Sequence, residues 1–262
     1  MAYSYKGAIE FGLVYIPVTL SSSIKQNDIG FNMLDKKTMS RVKYKKTCVD
    51  CGGREVKNED IVKGYQYEKD KYVVFDDKDF EKLKTEKDKN ICIESFLSQS
   101  EVSPIFFDKT YYVKPAGGEK AYFVLLNAMQ KQKKVALAKT VIGTKETLLI
   151  LSILGGKMIA TSLFFNDEIV EAPQVKKVAV TKKESDLANS LITQMTAKFE
   201  PSKYKDEYIE KVKKAIKSKI AGKEIIQAKN DTKPTKVINI MEALQKSLNT
   251  KPTKKKVKDA AN

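Results

Sequence analysis

The alternation of apolar and polar positions divides the chain into a β-rich first two-thirds and a helical remainder. Residues 8–20, AIEFGLVYIPVTL, read as a strand-like run with Pro17 near its end, and residues 41–46, RVKYKK, set basic side chains alternately with Val42 and Tyr44. GYQYEKDKYVVF predicts a hairpin about Glu68-Lys69-Asp70, because aromatic and β-branched residues fill both of its arms. Asp76 then stands where it can accept a bond from a free N–H in the first turn of a short helix, DKDFEKLK. IFFDKTYYVKP predicts a strand ended by Pro115 and the Gly117-Gly118 turn. EKAYFVLLNAMQKQ, residues 119–132, has the length and composition of a buried helix. VALAKTVI and TLLILSIL follow as strands, and LGGKMIATSLFF returns through Gly155-Gly156. Many short strands with one or two helices packed on them predict a barrel or a sandwich with helical additions.

Near Lys176 the period changes. Thr181 and Glu184 form a capping box, in which the hydroxyl satisfies the N–H of Glu184 and the carboxylate reaches back to that of Thr181. Leu187, Leu191, Met195 and Phe199 follow at four-residue spacing, so this helix is expected to bury one stripe. After a break at Pro201, a second helix over residues 203–221 carries Tyr204, Tyr208, Val212, Ile216 and Ile220, with Gly222 placed to end it. Beyond Lys223, the repeat TKPTK at residues 232–236 and 250–254 brackets VINIMEALQKSL. That segment sets Val237, Ile240, Met241, Leu244 and Leu248 on one helical face, which fits a tethered docking element or a helix folding back on the body. The terminal KPTKKKVKD is too charged to pack.

Composition narrows the function. In a chain of 262 residues, 42% hydrophobic content is enough to fill a core. No stretch approaches the roughly 18 apolar residues of a membrane span, and the start, MAYSYKGAIEFG, lacks a secretory pattern. Three cysteines, an odd number, make no disulfide framework, so a reducing cytoplasm is the expected setting. The absence of histidine excludes Ser-His-Asp and Cys-His nucleophile activation, histidine bases and mixed Cys/His zinc sites within this polypeptide. No phosphate-binding glycine loop, dinucleotide fingerprint or nucleophile elbow is present.

Charge is the strongest positive signal. Lysine and arginine number 49 against 33 acids, a net +16, and the pI is about 9.4. From Lys203 onward, 17 lysines against 7 acids leave +10, so residues 1–202 carry the other +6. Such a balance points to a polyanion partner, most often nucleic acid, with a merely solvated basic surface as the alternative.

Residues 47–56, TCVDCGGREV, pose a separate question. Cys48 and Cys51 have the C-x-x-C spacing that points two thiolates at one metal, with Gly52-Gly53 supplying the tight backbone behind them. A structural zinc takes four ligands, and Cys92 lies far off in an apolar run, NICIESF. Half a metal site, a redox pair and an ordinary turn all remain open on this spacing.

Several segments together resemble the bacterial Ku family, the DNA-end-binding proteins of non-homologous end joining. They are KGAIEFGLVYIPVTL, RVKYKKTCVDCGGREVKNEDIVKGYQYEKDKYVVF, PIFFDKTYYVKPAGGEKAYFVLL and QMTAKFEPSKYKDEY, in order over residues 5–221. The resemblance implies a mixed, mainly β fold: a Ku-like β-barrel core over residues 1–177 with a DNA-encircling arm over about 36–66, a helical region over 178–222, and a flexible Lys-rich tail over 223–262 with a short helix at 237–248. It further implies a non-catalytic homodimer that rings double-stranded DNA ends without sequence specificity and recruits the multifunctional ATP-dependent ligase D. Arg41, Lys43, Lys45, Lys46, Arg54 and Lys57, in or beside the arm, become the expected phosphate contacts, and Lys254, Lys255 and Lys256 modulators from the tail. The expected setting is the cytoplasm at the nucleoid, with no membrane contact.

No cofactor is required on this reading. In a symmetric dimer Cys48 and Cys51 of both copies are able to complete a Cys₄ zinc site; a reduced pair and a regulatory disulfide are the alternatives. Two other function classes compete: a zinc-ribbon-like regulator that reads DNA sequence, and a metal nuclease built on Asp76, Asp77 and Asp79.

Overall fold

The computed structural model describes residues 4–82, 90–143, 145–224 and 240–249, which fall into two compact units, residues 1–172 and 173–262. The first is built on a closed seven-stranded barrel with strand order β1-β2-β6-β9-β8-β7-β5. Its strands are β1 (Ser4–Phe11), β2 (Val14–Ser22), β5 (Ile91–Leu97), β6 (Phe107–Pro115), β7 (Val135–Ile142), β8 (Lys145–Leu154) and β9 (Lys157–Leu163). All ladders are antiparallel except the seam, where Ile9-Glu10 of β1 run parallel to Ile91-Cys92 of β5 and close the sheet. Between the alternatives of barrel and sandwich, the structure therefore takes the barrel.

Residues 8–20 are not one strand. Gly12, at φ +57°, turns the chain with Leu13, and Ala8 pairs back on Pro17. An apolar run long enough for two strands does not reveal its own turn when one glycine makes it. The inward positions then follow the two-residue period: Ile16, Val18 and Leu20 on β2, and Met158 and Ala160 on β9, are buried. Centrally placed β8 buries Leu149, Ile150, Leu151 and Ser152 in succession, because Ile150 joins Val135 and Leu163 in a second cluster outside the first.

Helix α2 (Glu119–Gln132) is amphipathic. Tyr122, Leu125, Leu126 and Met129, spaced i, i+3, i+4, i+7, join the main cluster, while Phe123 and Val124 face solvent. The ladder between β6 and β9 ends at the Tyr112–Ile159 pair; just beyond it the buried Tyr122 hydroxyl donates to the Val113 carbonyl at 2.9 Å. Burial raises the Tyr122 pKa above its ordinary value.

Helix α1 (Asp77–Lys82) starts as its sequence demands: Asp79 N–H donates to Asp76 Oδ1 at 2.9 Å and Asp76 N–H to Asp79 Oδ2 at 3.0 Å.

The second unit holds α3 (Lys182–Met195), α4 (Glu207–Ile220) and α5 (Ile240–Asn249). The capping box opens α3, with Glu184 N–H donating to Thr181 Oγ1 at 3.4 Å and Thr181 N–H to Glu184 Oε2 at 2.8 Å. Helix α4 begins at residue 207 rather than 203, since Asp206 caps it by accepting from Ile209 N–H at 3.0 Å. The four-spaced stripes are only partly covered: Leu187, Leu191, Val212 and Ile216 are half-buried, but Met195, Phe199, Tyr204, Tyr208 and Ile220 are exposed. Phe199 and Tyr204 lie outside both helices, and within them each four-residue step advances about 40° at 3.6 residues per turn, so a four-spaced stripe drifts off any single face. Helix α5 lies against α3, with Met241, Leu244 and Leu248 half-buried; Val237 lies outside the described residues.

Candidate nucleic-acid interface

Between β2 and α1 the chain leaves the barrel. Over residues 24–74 every side chain is exposed except Ile29, Cys48 and Val56, which are half-buried. No core of its own holds this arm, so local hydrogen bonds set its shape.

The first turn is organised by one carboxylate. Asp35 Oδ1 accepts from the N–H of Lys37 at 3.1 Å and from the N–H and hydroxyl of Thr38 at 2.7 and 2.8 Å. Hydrogen bonds from Thr38 first of all hold the Asp35 pKa below its ordinary value. Asp35 N–H donates to the Ser40 carbonyl, and the Leu34–Arg41 bridge closes the turn. Residues 41–46, expected as a strand, make no regular ladder: beyond that bridge, Val42 N–H reaches the Met33 carbonyl and Lys46 offers its carbonyl to Val56 N–H. Alternation alone builds no strand without a neighbouring backbone at ladder spacing.

The second turn is closed by the Thr47–Glu55 bridge and carries the cysteine pair. Cys48 N–H donates to the Arg54 carbonyl at 2.9 Å, Gly53 N–H to the Cys48 carbonyl at 3.2 Å and Arg54 N–H to the Cys51 carbonyl at 3.2 Å. Gly52 and Gly53, at φ +61° and +80°, occupy the left-handed region that the turn needs. The two sulfurs lie 2.9 Å apart and share a hydrogen bond. As a thiolate Cys48 accepts from the Cys51 S–H, which lowers Cys48 and raises Cys51; the nearby Arg54 charge lowers Cys48 further. Among the described residues no third His, Cys, Asp or Glu joins the pair to form a metal-binding group, so one chain supplies only half of a tetrahedral zinc site. Cys92 is half-buried on β5, its sulfur 3.7 Å from Glu10 Oε2.

The hairpin β3 (Lys63–Glu68) and β4 (Lys71–Phe75) turns at Lys69-Asp70, with Asp70 at φ +60°. Tyr65, Tyr67 and Tyr72 are exposed on it, and Lys63 sits 4.6 Å over the Phe80 ring.

Charge is concentrated in the two turns. Residues 36–57 hold eight Lys and Arg against Asp50 and Glu55, a net +6, whereas residues 58–75 hold three lysines against four acids, a net −1. Of the expected phosphate contacts, Lys45 pairs with Glu55 at 2.6 Å and Lys57 with Glu59 at 3.6 Å. Arg41, Lys43, Lys46 and Arg54 pair with no carboxylate among the described residues. Lys36 and Lys37 are exposed in the Asp35 turn and belong to the same basic stretch. The Asp35-x-x-Thr38 spacing of an Asx turn was the available signal for them. Lys254, Lys255 and Lys256 lie outside the described residues. Asp76 and Asp79 are engaged in capping and Asp77 approaches Lys63 at 3.5 Å, so the three acids serve a helix start.

A model of the Ku70/Ku80 beta-barrel domain matches residues 10–187 of this chain. The chain belongs to the Ku family. It is 45% identical over 247 residues to the non-homologous end joining protein Ku of Lachnoclostridium phytofermentans, covering 94% of this chain and 95% of that one. The protein of that name from Heliobacterium modesticaldum is 37% identical, covering 98% of this chain and 94% of its own length. That of Bacillus subtilis is 36% identical, over 93% and 80% respectively. The matched region takes in the barrel from the end of β1 onward, both arm turns and the start of α3, so the Ku family accounts for barrel and arm together.

Proposed function

We propose that this Ku is a non-catalytic, homodimeric ring that binds double-stranded DNA ends in non-homologous end joining and recruits an ATP-dependent ligase D. The observation that carries this reading is the arm: residues 24–74 leave a closed barrel, bury almost nothing, and place a net +6 within residues 36–57. A segment with Phe31, Met33, Leu34, Met39 and Val42 exposed needs a second surface to cover it, and a second copy of the chain supplies one with the same apolar and basic mixture. Basic side chains without a recognition helix suit a phosphate backbone, which is read without regard to sequence.

Arg41, Lys43, Lys45, Lys46, Arg54 and Lys57 are assigned to phosphate contacts. The exposure of Ile192, Met195, Phe199, Tyr204 and Tyr208 supports residues 178–222 as the surface for the ligase, and the lysines of residues 223–262 are assigned to tuning DNA affinity. The scaffold works without a cofactor; a structural zinc on Cys48 and Cys51 needs its other two ligands from a second copy. The setting is the cytoplasm at the nucleoid. Among the described residues no helix is long and apolar enough to cross a membrane.

Topology is the decisive test. Linear duplex is expected to compete well for the full chain at moderate salt and covalently closed circular duplex poorly; equal competition overturns the ring. Deleting residues 223–262 is expected to lower affinity and flatten its salt dependence, and an unchanged slope removes the tail from the interface.

A further inference from the structure

Two turns of related design follow one another along the arm, and they differ in what fills them. In the first, the i, i+3 pair is Asp35 and Thr38, and the carboxylate absorbs the free donors of the turn. In the second, the i, i+3 pair is Cys48 and Cys51, and the main chain alone closes the turn through Cys48, Cys51, Gly53 and Arg54. The thiols are therefore not needed to keep the shape, yet the shape holds them together.

Their separation is informative. Two thiolates on a tetrahedral zinc, at Zn–S of about 2.3 Å, stand about 3.8 Å apart, and a disulfide brings sulfurs to about 2.05 Å. At 2.9 Å, the pair lies about 0.9 Å from each of these distances, without a third ligand among the described residues. Cys51 is exposed and Cys48 half-buried, so a small oxidant reaches both.

We propose that Cys48 and Cys51 are an oxidation site: a dithiol that a hydroperoxide converts to an intrachain disulfide and that a cellular thiol reductant restores. Cys48 is the attacking residue, since the Cys51 thiol 2.9 Å from its sulfur first of all, and the Arg54 charge besides, favour its thiolate. Its thiolate takes the terminal oxygen of the hydroperoxide, the O–O bond breaks, and the alkoxide leaves as the alcohol once protonated. The sulfur of Cys51 then attacks the Cys48 sulfenic acid, the S–S bond forms, and the departing hydroxide takes the Cys51 proton as water. Two thiols and one hydroperoxide give one disulfide, one alcohol and one water; the sulfurs lose two electrons and the peroxide gains them. The disulfide converts a turn held by main-chain hydrogen bonds into a covalent clasp between Lys46 and Arg54. Cys92, on the barrel beside Glu10, takes no part.

The test uses the reduced full chain, treated with hydrogen peroxide and then alkylated for peptide mass analysis. Cys48 and Cys51 are expected to lose alkylation together, with the mass of two hydrogens lost and recovered on dithiothreitol, while Cys92 alkylation persists. In Cys51→Ser, Cys48 is expected to be captured as a sulfenic acid by dimedone; in Cys48→Ser, Cys51 stays alkylable. Oxidation of Cys92 at the same rate overturns the assignment, as do chains linked to one another through these cysteines. Thiols that resist alkylation until a chelator removes about one zinc per two chains also overturn it, in favour of a shared Cys₄ site.

Discussion

Replacing Arg41, Lys43, Lys46 and Arg54 together by glutamine is expected to flatten the salt dependence of DNA binding, not merely to weaken it. These four cations carry no carboxylate partner among the described residues, so no ion pair within the chain has to be surrendered when each meets a phosphate. Each contact contributes about 0.9 to the slope of log K against log salt, so four remove about 3.6 per arm and about 7 for two arms. Between 50 and 200 mM salt, a fourfold change, four contacts cost the parent about 2.2 log units, or roughly 150-fold in affinity per arm, that the variant no longer loses. Fluorescence anisotropy on a short blunt duplex at several salt concentrations reads both slopes. The double variant Lys45→Gln/Lys57→Gln is expected to change the slope less, because those cations already hold Glu55 at 2.6 Å and Glu59 at 3.6 Å. Parallel lines for the parent and the fourfold variant refute the assignment of this stretch to phosphate.

Leu151→Ala, at a fully buried barrel position, is expected to cost about 2–5 kcal/mol in chemical unfolding, whereas Leu13→Ala, on the exposed β1–β2 turn, changes stability by at most about 0.5 kcal/mol. Tyr122→Phe removes the hydroxyl that donates to the Val113 carbonyl and is expected to lower stability by about 1 kcal/mol with the barrel retained, read by thermal melting and far-UV circular dichroism. The bonds from Thr181 hold the Glu184 pKa below its ordinary 4.5, so the helix-start stabilisation is complete above that value and is lost as pH falls through the lower folded pKa. Helicity of the full chain titrated through this range is expected to show that loss, and Glu184→Gln to remove it.

The arm hairpin and the helix starts were legible because their signals are local. The arms of β3 and β4 declare themselves by aromatic and β-branched residues around a turn, Asp76 by its position before an acidic helix start, and Thr181 and Glu184 by their spacing. A feature that depends on a partner in space is not written in local order. Residues 8–20 merged two strands because one glycine marks the turn, and residues 41–46 alternated like a strand without a ladder beside them. The stripes on α3 and α4 overran the faces that packing covers.

The same division applies to function. By itself the sequence determined the absence of histidine chemistry, the strongly basic balance, the cysteine spacing and the ordered segments that resemble Ku, since each is a matter of residue identity and local order. Only the tertiary structure decided that the seven strands close, with β5 parallel to β1 at the seam, because closure joins segments some eighty residues apart in register. It alone divided the basic residues of the arm into those already holding carboxylates and those that hold none among the described residues, and set two sulfurs 2.9 Å apart in a turn that does not need them. Charge and spacing are written in the chain, but which charge is already answered, and which thiols meet, depends on where the backbone brings them.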